Sequence, residues 1–311
     1  MIRQLKYGAY FFAAGCRHVL KLQPKVKYDN VKHLDANAAN RLIGSRIRLG
    51  EPFMACRFGS GEMRTFLKTL EVDMGIRRSI PEANMDSMCI NAGFFPRQQD
   101  AVMRFGRLMG DACRDVDLLA TWDTLPMENY VLNTWVNQAL YCYLSGLEPF
   151  FADIPWTLAL EGKRVVVIHP FEDSIRQQYQ RKDLLFPDKK ILPEFSLRTV
   201  KAVQTIAGQK DERFSDWFEA LEYMYEEAMK EPFDVAVIGC GAYGFPLASK
   251  LKRAGRQAIH LGGATQLLFG IRGQRWEAKE EYKDIINENW RRPLKSERPE
   301  GAGKIEGSCY W

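Results

Sequence analysis

The chain reads as an α/β protein of Rossmann-like type: a mostly parallel sheet with helices on both faces, plus an N-terminal helical segment. Three features lead there. Short apolar runs rich in β-branched residues alternate with longer stretches of helical periodicity. Several runs have no polar alternate positions, as strands covered on both faces require. Polar or glycine-rich loops follow the C-terminal ends of the runs, and in open parallel sheets that is the ligand-binding edge.

In chain order, residues 1–27 (MIRQLKYGAYFFAAGCRHVLKLQPKVK) carry Arg3, Lys6, Arg17, Lys21, Lys25 and Lys27 and no acid. The apolar stretch between them is short and contains Gly8. An amphipathic helix packed on the body is therefore favoured over a signal peptide or a lipoprotein-type start at Ala14-Gly15-Cys16. Reversible contact with an anionic membrane surface is the next reading. Residues 31–50 read as helix, PFMAC (52–56) as a first strand, RFGSG as a turn, and 62–70 as helix. Val102, Phe105, Met109 and Ala112 recur at helical spacing, DLLAT (117–121) is a second strand, and 129–144 is again apolar and helical. KRVVVIHP (163–170) is a third strand, with a helix from about Ser174, and KKILPEF (189–195) a short further one. Asp216-x-x-Glu219 forms a capping box for a helix with Trp217, Leu221, Met224 and Ala228 on one face. FDVAVIG (233–239) and QAIHL (257–261) are the last strands, joined by a helix that opens near Pro246 and ends at Gly255. From Trp290 the chain is polar and rich in glycine and proline, with an aromatic end able to dock back. The expected division is a helical extension to residue 50, an α/β domain over 51–289 and an irregular tail over 290–311.

Composition narrows the function classes. The 44 basic and 39 acidic residues give a net charge of +5, and no dense basic stripe with interleaved aromatics points to nucleic acid. No apolar run approaches the ~20 residues of a membrane span. Seven scattered cysteines without a C-x-x-C pair argue against a disulfide framework or structural zinc and fit a reducing, cytoplasmic setting, with peripheral contact at the inner membrane face as the alternative.

Gly239-x-Gly241-x-x-Gly244 has the spacing of a dinucleotide-binding turn. The acid that should hold the ribose about 20 residues on is missing: the next strand ends in Ile259-His260-Leu261-Gly262-Gly263. The motif also lies too late for a complete dinucleotide domain, so neither NAD nor flavin is expected. A turn whose amides approach a phosphate or sugar is favoured over one chosen for packing alone.

Arg57-Phe58-Gly59-Ser60-Gly61-Glu62 places a cation and a carboxylate around a flexible turn, with Glu62 able to serve chemistry or to cap the helix. This loop resembles the RFGDGE loop of the GT-D type glycosyltransferases. GCGAYGFPLASKLKRAGRQAIHLGG resembles the late strand, glycine turn, helix and strand of that family. VVVIHPFEDSIRQQY, HLGGATQLLFGIRGQRW and EGSCYW resemble a GT-D-like branch found among bacterial polysaccharide proteins. The resemblance covers most of residues 50–311. It implies transfer of a sugar from a nucleotide-sugar donor to a saccharide or glycoconjugate hydroxyl, in surface polysaccharide or glycoconjugate synthesis. In the family the two acids of that loop serve a divalent metal and the donor diphosphate. Here the first is Ser60, which leaves Glu62 alone to hold Mg²⁺ or Mn²⁺, a weaker site because hard cations prefer charged oxygens. A non-catalytic nucleotide-sugar-binding or assembly protein is the alternative.

The donor residues so expected are Arg57, Gly59, Ser60, Gly61, Gly239, Gly241, Tyr243, Gly244, His260, Gly262, Gly263 and Thr265. Glu62, His169 and Asp173 are the acid/base candidates; for the last two, satisfied loop and helix-cap roles stand equally. Asp123 and Glu172 are candidates for acceptor or ribose hydroxyls, Asp123 more readily as a turn former. Trp122, Trp135 and Tyr243 could stack on a sugar or base, although aromatics so placed more often pack the core.

Overall fold

The computed structural model describes residues 2–19, 32–122, 125, 127–136, 138–187, 189–299, 303, 310 and 311, without the side chains of 2 and 14–19. Eight strands form one sheet: β1 (His33–Leu34), β2 (Phe53–Arg57), β3 (Leu118–Thr121), β4 (Leu140–Tyr143), β5 (Arg164–His169), β6 (Ser196–Lys201), β7 (Val235–Ile238) and β8 (Gln257–His260). All pair in parallel, in the order β1-β4-β3-β2-β8-β7-β5-β6. The fold is α/β and Rossmann-like.

The pleat explains why these strands are apolar throughout. Met54, Cys56, Val166, Ile168, Ala236 and Ile238 point into one core, shared with helices Ser60–Asp73, Gln99–Ala112, Trp217–Met229 and Gly244–Arg253. Their neighbours Phe53, Ala55, Val165, Val167, Val235 and Val237 point into the opposite core, with helix Ala36–Leu49, Ile175, Trp276 and Trp290. Each face is thus closed by helices, as parallel crossovers demand. The capping box forms: Asp216 Oδ1 accepts from the Glu219 amide at 2.8 Å, and Glu219 Oε2 accepts from the Ser215 amide at 2.6 Å.

Three stretches differ from the sequence reading. Residues 31–50 are not one helix, because β1 pairs with β4 at the sheet edge before Asp35 caps helix Ala36–Leu49 through the Ala38 amide. The apolar run 129–144 holds two elements: helix Glu128–Trp135 stops and 140–143 forms β4. KKILPEF forms no strand. Pro193 has no N–H for a ladder, so Ile191, Leu192 and Phe195 pack into the core from irregular backbone and β6 begins at Ser196. Residues on both sides of the expected boundaries join the same body: β1 lies in the sheet, and Trp290 and Trp311 are buried in the second core. No helix among the described residues is long and apolar enough to cross a membrane.

The strand order positions the site. β8, the last strand, inserts between β2 and β7, so the C-terminal ends of β2, β8, β7 and β5 lie side by side. The RFGSGE, HLGGAT, GCGAYG and HPFEDS loops follow those four ends.

Candidate functional site

Two of the three motif glycines are packing positions. A Cβ on Gly244 would lie 2.0 Å from His260 Cε1, and one on Gly239 would lie 2.6 Å from His169 Cδ2 and 2.7 Å from Thr265 Cβ. Only Gly241, with φ +57° and nothing within 4 Å of its missing Cβ, faces open space. At its back, the Ile238 carbonyl accepts from Thr265 Oγ1 at 3.0 Å, the Leu261 amide at 3.1 Å and His260 Nδ1 at 3.3 Å. Burial, with the positive Arg57 adding to it, pushes His260 down to about 3, so its ring stays neutral. His260 through Nδ1 and Thr265 through Oγ1 therefore brace the glycine turn from behind.

His169 at the end of β5 differs from the acid/base expected of it. Its Nδ1 accepts from the Phe171 amide at 3.0 Å, which leaves the proton on Nε2. Burial pushes this ring, too, down to about 3. The result is a neutral hydrogen-bond donor, because the basic nitrogen is occupied and the charged form is disfavoured. Asp173 and Glu172 turn to Arg176 in ion pairs on their own helix, Glu172 at 3.3 Å. The cap of that helix is instead Glu297, whose Oε1 accepts from the Asp173 amide at 2.8 Å and the Ser174 amide at 3.2 Å. Neither Glu172 nor Asp173 lines the cavity that His169 lines.

That cavity, about 120 Å³, lies over the strand ends between His169, Gly239, Gly241, Tyr243, Gly263 and Gln266. Tyr310 and Trp311 form one part of its wall, and Asn91, Ala92 and the 203–206 segment another. Tyr310 is held by Arg275 Nη1 on its hydroxyl at 2.9 Å and by Gln266 Nε2 on its carbonyl at 3.3 Å. Arg292 Nη1 donates to the Trp311 carbonyl at 2.9 Å. Tyr243 stacks on Trp217 at 4.5 Å and Trp135 packs edge-on to Phe66, so both are core aromatics, although an edge of Tyr243 reaches the cavity.

A charged cluster lies beside this cavity at β2; Arg57, Glu62 and Trp122 are outside the cavity's own lining and meet it only through the Gly262-Gly263 turn. Trp122 donates its Nε1–H to the Phe58 carbonyl at 2.7 Å, and the Arg57 guanidinium rests 4.5 Å over the Trp122 ring. Gly262, at φ +62°, lies against the Arg57 stem, where a Cβ would be 3.5 Å from Arg57 Cδ. The Glu62 carboxylate folds back over Gly59, whose missing Cβ it would overlap at 2.0 Å. Burial pushes Glu62 up, opposed by its own backbone N–H and by Arg57. Ser60 and Gly61 open the helix, and Gly61 borders a separate depression with Arg64, Asn84 and Ser87. Asp123 lies outside the described residues.

Sequence reasoning missed one carboxyl. Glu148 follows β4 and is 8% exposed; its Oε2 accepts from the Tyr282 hydroxyl at 2.7 Å. Burial pushes it up to about 7, with the Tyr282 bond and Arg57 opposing. Arg57 thus sits in the field of Tyr310, Glu62, Glu148 and Arg275. An acid after a strand, flanked by Leu147 and Pro149, is a usable signal, but it is hidden while the apolar run 129–144 reads as one helix.

Among the described residues no three His, Cys, Asp or Glu side chains converge as a metal group. Around Glu62 the neighbours are a neutral Ser60 and the cation Arg57, so the donor set does not fit a resident Mg²⁺ or Mn²⁺. Comparison of the chain with protein-family models, curated proteins and solved structures finds no match.

Proposed function

We propose that this chain binds a nucleotide-sugar at the β2-β8-β7-β5 edge and transfers the sugar to a hydroxyl acceptor, in the manner of the GT-D-like glycosyltransferases that its loops resemble. The observation that carries the reading is Arg57. Among the described residues it makes no ion pair, and its guanidinium is braced on Trp122 beside the Gly262 turn. A planar guanidinium so held suits a diphosphate. The open Gly241 turn and the Gly262–Ala264 turn offer backbone amides from the two neighbouring strands.

In this reading Arg57 stabilises the departing diphosphate, the largest electrostatic demand of the reaction. Trp122 offers an aromatic face to the sugar or base. His169 donates from Nε2 to a ligand oxygen. Glu148, ionising near neutrality, accepts the proton of the acceptor hydroxyl. No step is routed through a metal. A nucleotide-sugar is larger than the present cavity, since sites for drug-sized ligands span ~300–1,000 Å³. The ligand therefore extends beyond the cavity toward Arg57, which lies outside its lining.

A second reading, nucleotide-sugar binding without turnover, is favoured by Ser60 standing where the family loop has an acid. A thermal-shift screen of UDP-, GDP-, CMP- and dTDP-sugars, with and without Mn²⁺, tests both. Stabilisation by at least one donor is expected, and none from any would contradict both readings. Release of the nucleoside phosphate from that donor, with acceptor sugars present, separates transfer from binding alone.

A further inference from the structure

We infer that the N-terminal helix is a docking face for an anionic membrane surface, a property independent of the strand-edge site. Helix Ile2–Val19 is fastened to the body along one side. Tyr7 is buried, and its hydroxyl donates to Glu71 Oε1 at 2.6 Å. Gln4 Nε2 reaches the Met74 carbonyl at 2.7 Å, and Lys6 Nζ reaches the Asn133 carbonyl at 3.2 Å. The other side is apolar and uncovered: Leu5 is 68%, Phe11 58% and Phe12 73% exposed. Leu5, Gly8 and Phe12 stand at i, i+3 and i+7, so they share one face of the helix, with Phe11 at its margin. Beside the Gln4 contact, Ile76 is 52% exposed and is followed by Arg77, which pairs with Glu71 at 2.8 Å, and by exposed Arg78.

Large aromatics held in water on a helix that is already fastened need an occupant. Charge decides which one. Residues 1–27 contain two arginines beside four lysines and no acid. A second copy of the chain would bring two such segments together against their repulsion. A bilayer with anionic headgroups accepts the Leu5/Phe11/Phe12 face, and the positive charge of the whole segment draws it there, each Lys or Arg near the surface adding about fivefold to partition. Arg3 and Lys6 themselves turn to Trp135 and the Asn133 carbonyl. The helix lies on such a surface and does not span it, in keeping with the short apolar stretch.

The test is flotation of the full chain with vesicles of phosphatidylglycerol in phosphatidylcholine, against phosphatidylcholine alone. Co-flotation with the anionic vesicles, weakening as salt is raised, is expected. The double variant Phe11→Ser, Phe12→Ser should lower partition at least ~tenfold with little change in melting temperature, since both rings are largely exposed and only Phe11 touches a fastened residue, Tyr7. Equal binding to both vesicle types, or partition unaffected by the double variant, would overturn the inference. So would a dimer in sedimentation equilibrium that the double variant dissolves, which would give the face to a second copy.

Discussion

The ring of His260 occupies the space that any side chain on Gly244 would need, with Cε1 2.0 Å from the position of a Cβ there. The third glycine of the motif is therefore set by strand-to-helix packing, and its φ of −62° needs no glycine. Gly244→Ala should destabilise the protein by about 1–3 kcal/mol, because a buried ring must shift. Gly241→Ala should cost only ~1–2 kcal/mol, through its left-handed backbone, but should weaken ligand binding because Gly241 faces the cavity. Urea unfolding and ligand titration of the two variants check the contrast. A Gly244→Ala protein as stable as wild type would refute the packing role.

The two buried histidines give the protein an acid-sensitive limb. Each ring is held near 3 against an ordinary 6.5, so the unfolded chain takes up the proton first. Their contribution is present above 6.5 and lost as pH falls toward 3, with a slope of about 1.4 kcal/mol per pH unit for each ring. Unfolding midpoints between pH 7 and 5 should fall more shallowly in His260→Asn, whose amide can keep the bond to the Ile238 carbonyl. Parallel curves for wild type and variant would show that His260 is not held neutral.

Glu148 carries the opposite sign. Its carboxyl is held at about 7, above the usual 4.5, so the stability it contributes is present below 4.5 and lost as pH rises through 7. Glu148→Gln should remove that dependence and leave the fold intact, with Gln still accepting from Tyr282. As the proton acceptor, Glu148 must be ionised, so transfer should rise through pH ~7 and drop at least ~100-fold in Glu148→Gln. Full transfer by the variant would assign the carboxyl to structure alone.

Ser60 is the first residue of its helix, one turn edge from Glu62. Ser60→Asp supplies a second carboxylate, and Mn²⁺ should then raise the melting temperature where it leaves wild type unmoved. The change without metal should stay within about 1 kcal/mol, the usual gain from an acid at a helix start. No response to Mn²⁺ would mean that the loop cannot form a two-acid site.

What the sequence could reveal follows from what each signal depends on. β2, β3, β5, β7 and β8 are apolar on both faces, a pattern that needs no tertiary knowledge. β1 and β4 lie at one margin of the sheet, where His33–Leu34 is too short to show a period and LYCY continues an apolar helix without a break. The loops of the site were legible because the strands before them were. The division of labour within them was not, since it depends on which glycine meets which ring and on the bond from Phe171 that takes His169 Nδ1. Glu148 escaped with β4, and Glu297 reaches the helix start of Asp173 from more than 120 residues away. No local pattern encodes a cap of that kind.

The most direct measurement is isothermal titration of wild type and Arg57→Gln with whichever nucleotide-sugar stabilises the wild type in the screen. Saturable binding by wild type and a loss of at least ~tenfold in Arg57→Gln are expected, since charge-assisted bonds to a phosphate contribute about 1.5–3 kcal/mol. The matching nucleoside, lacking phosphates, should bind both proteins alike. Equal affinity of the two proteins for the nucleotide-sugar would contradict a diphosphate site at Arg57.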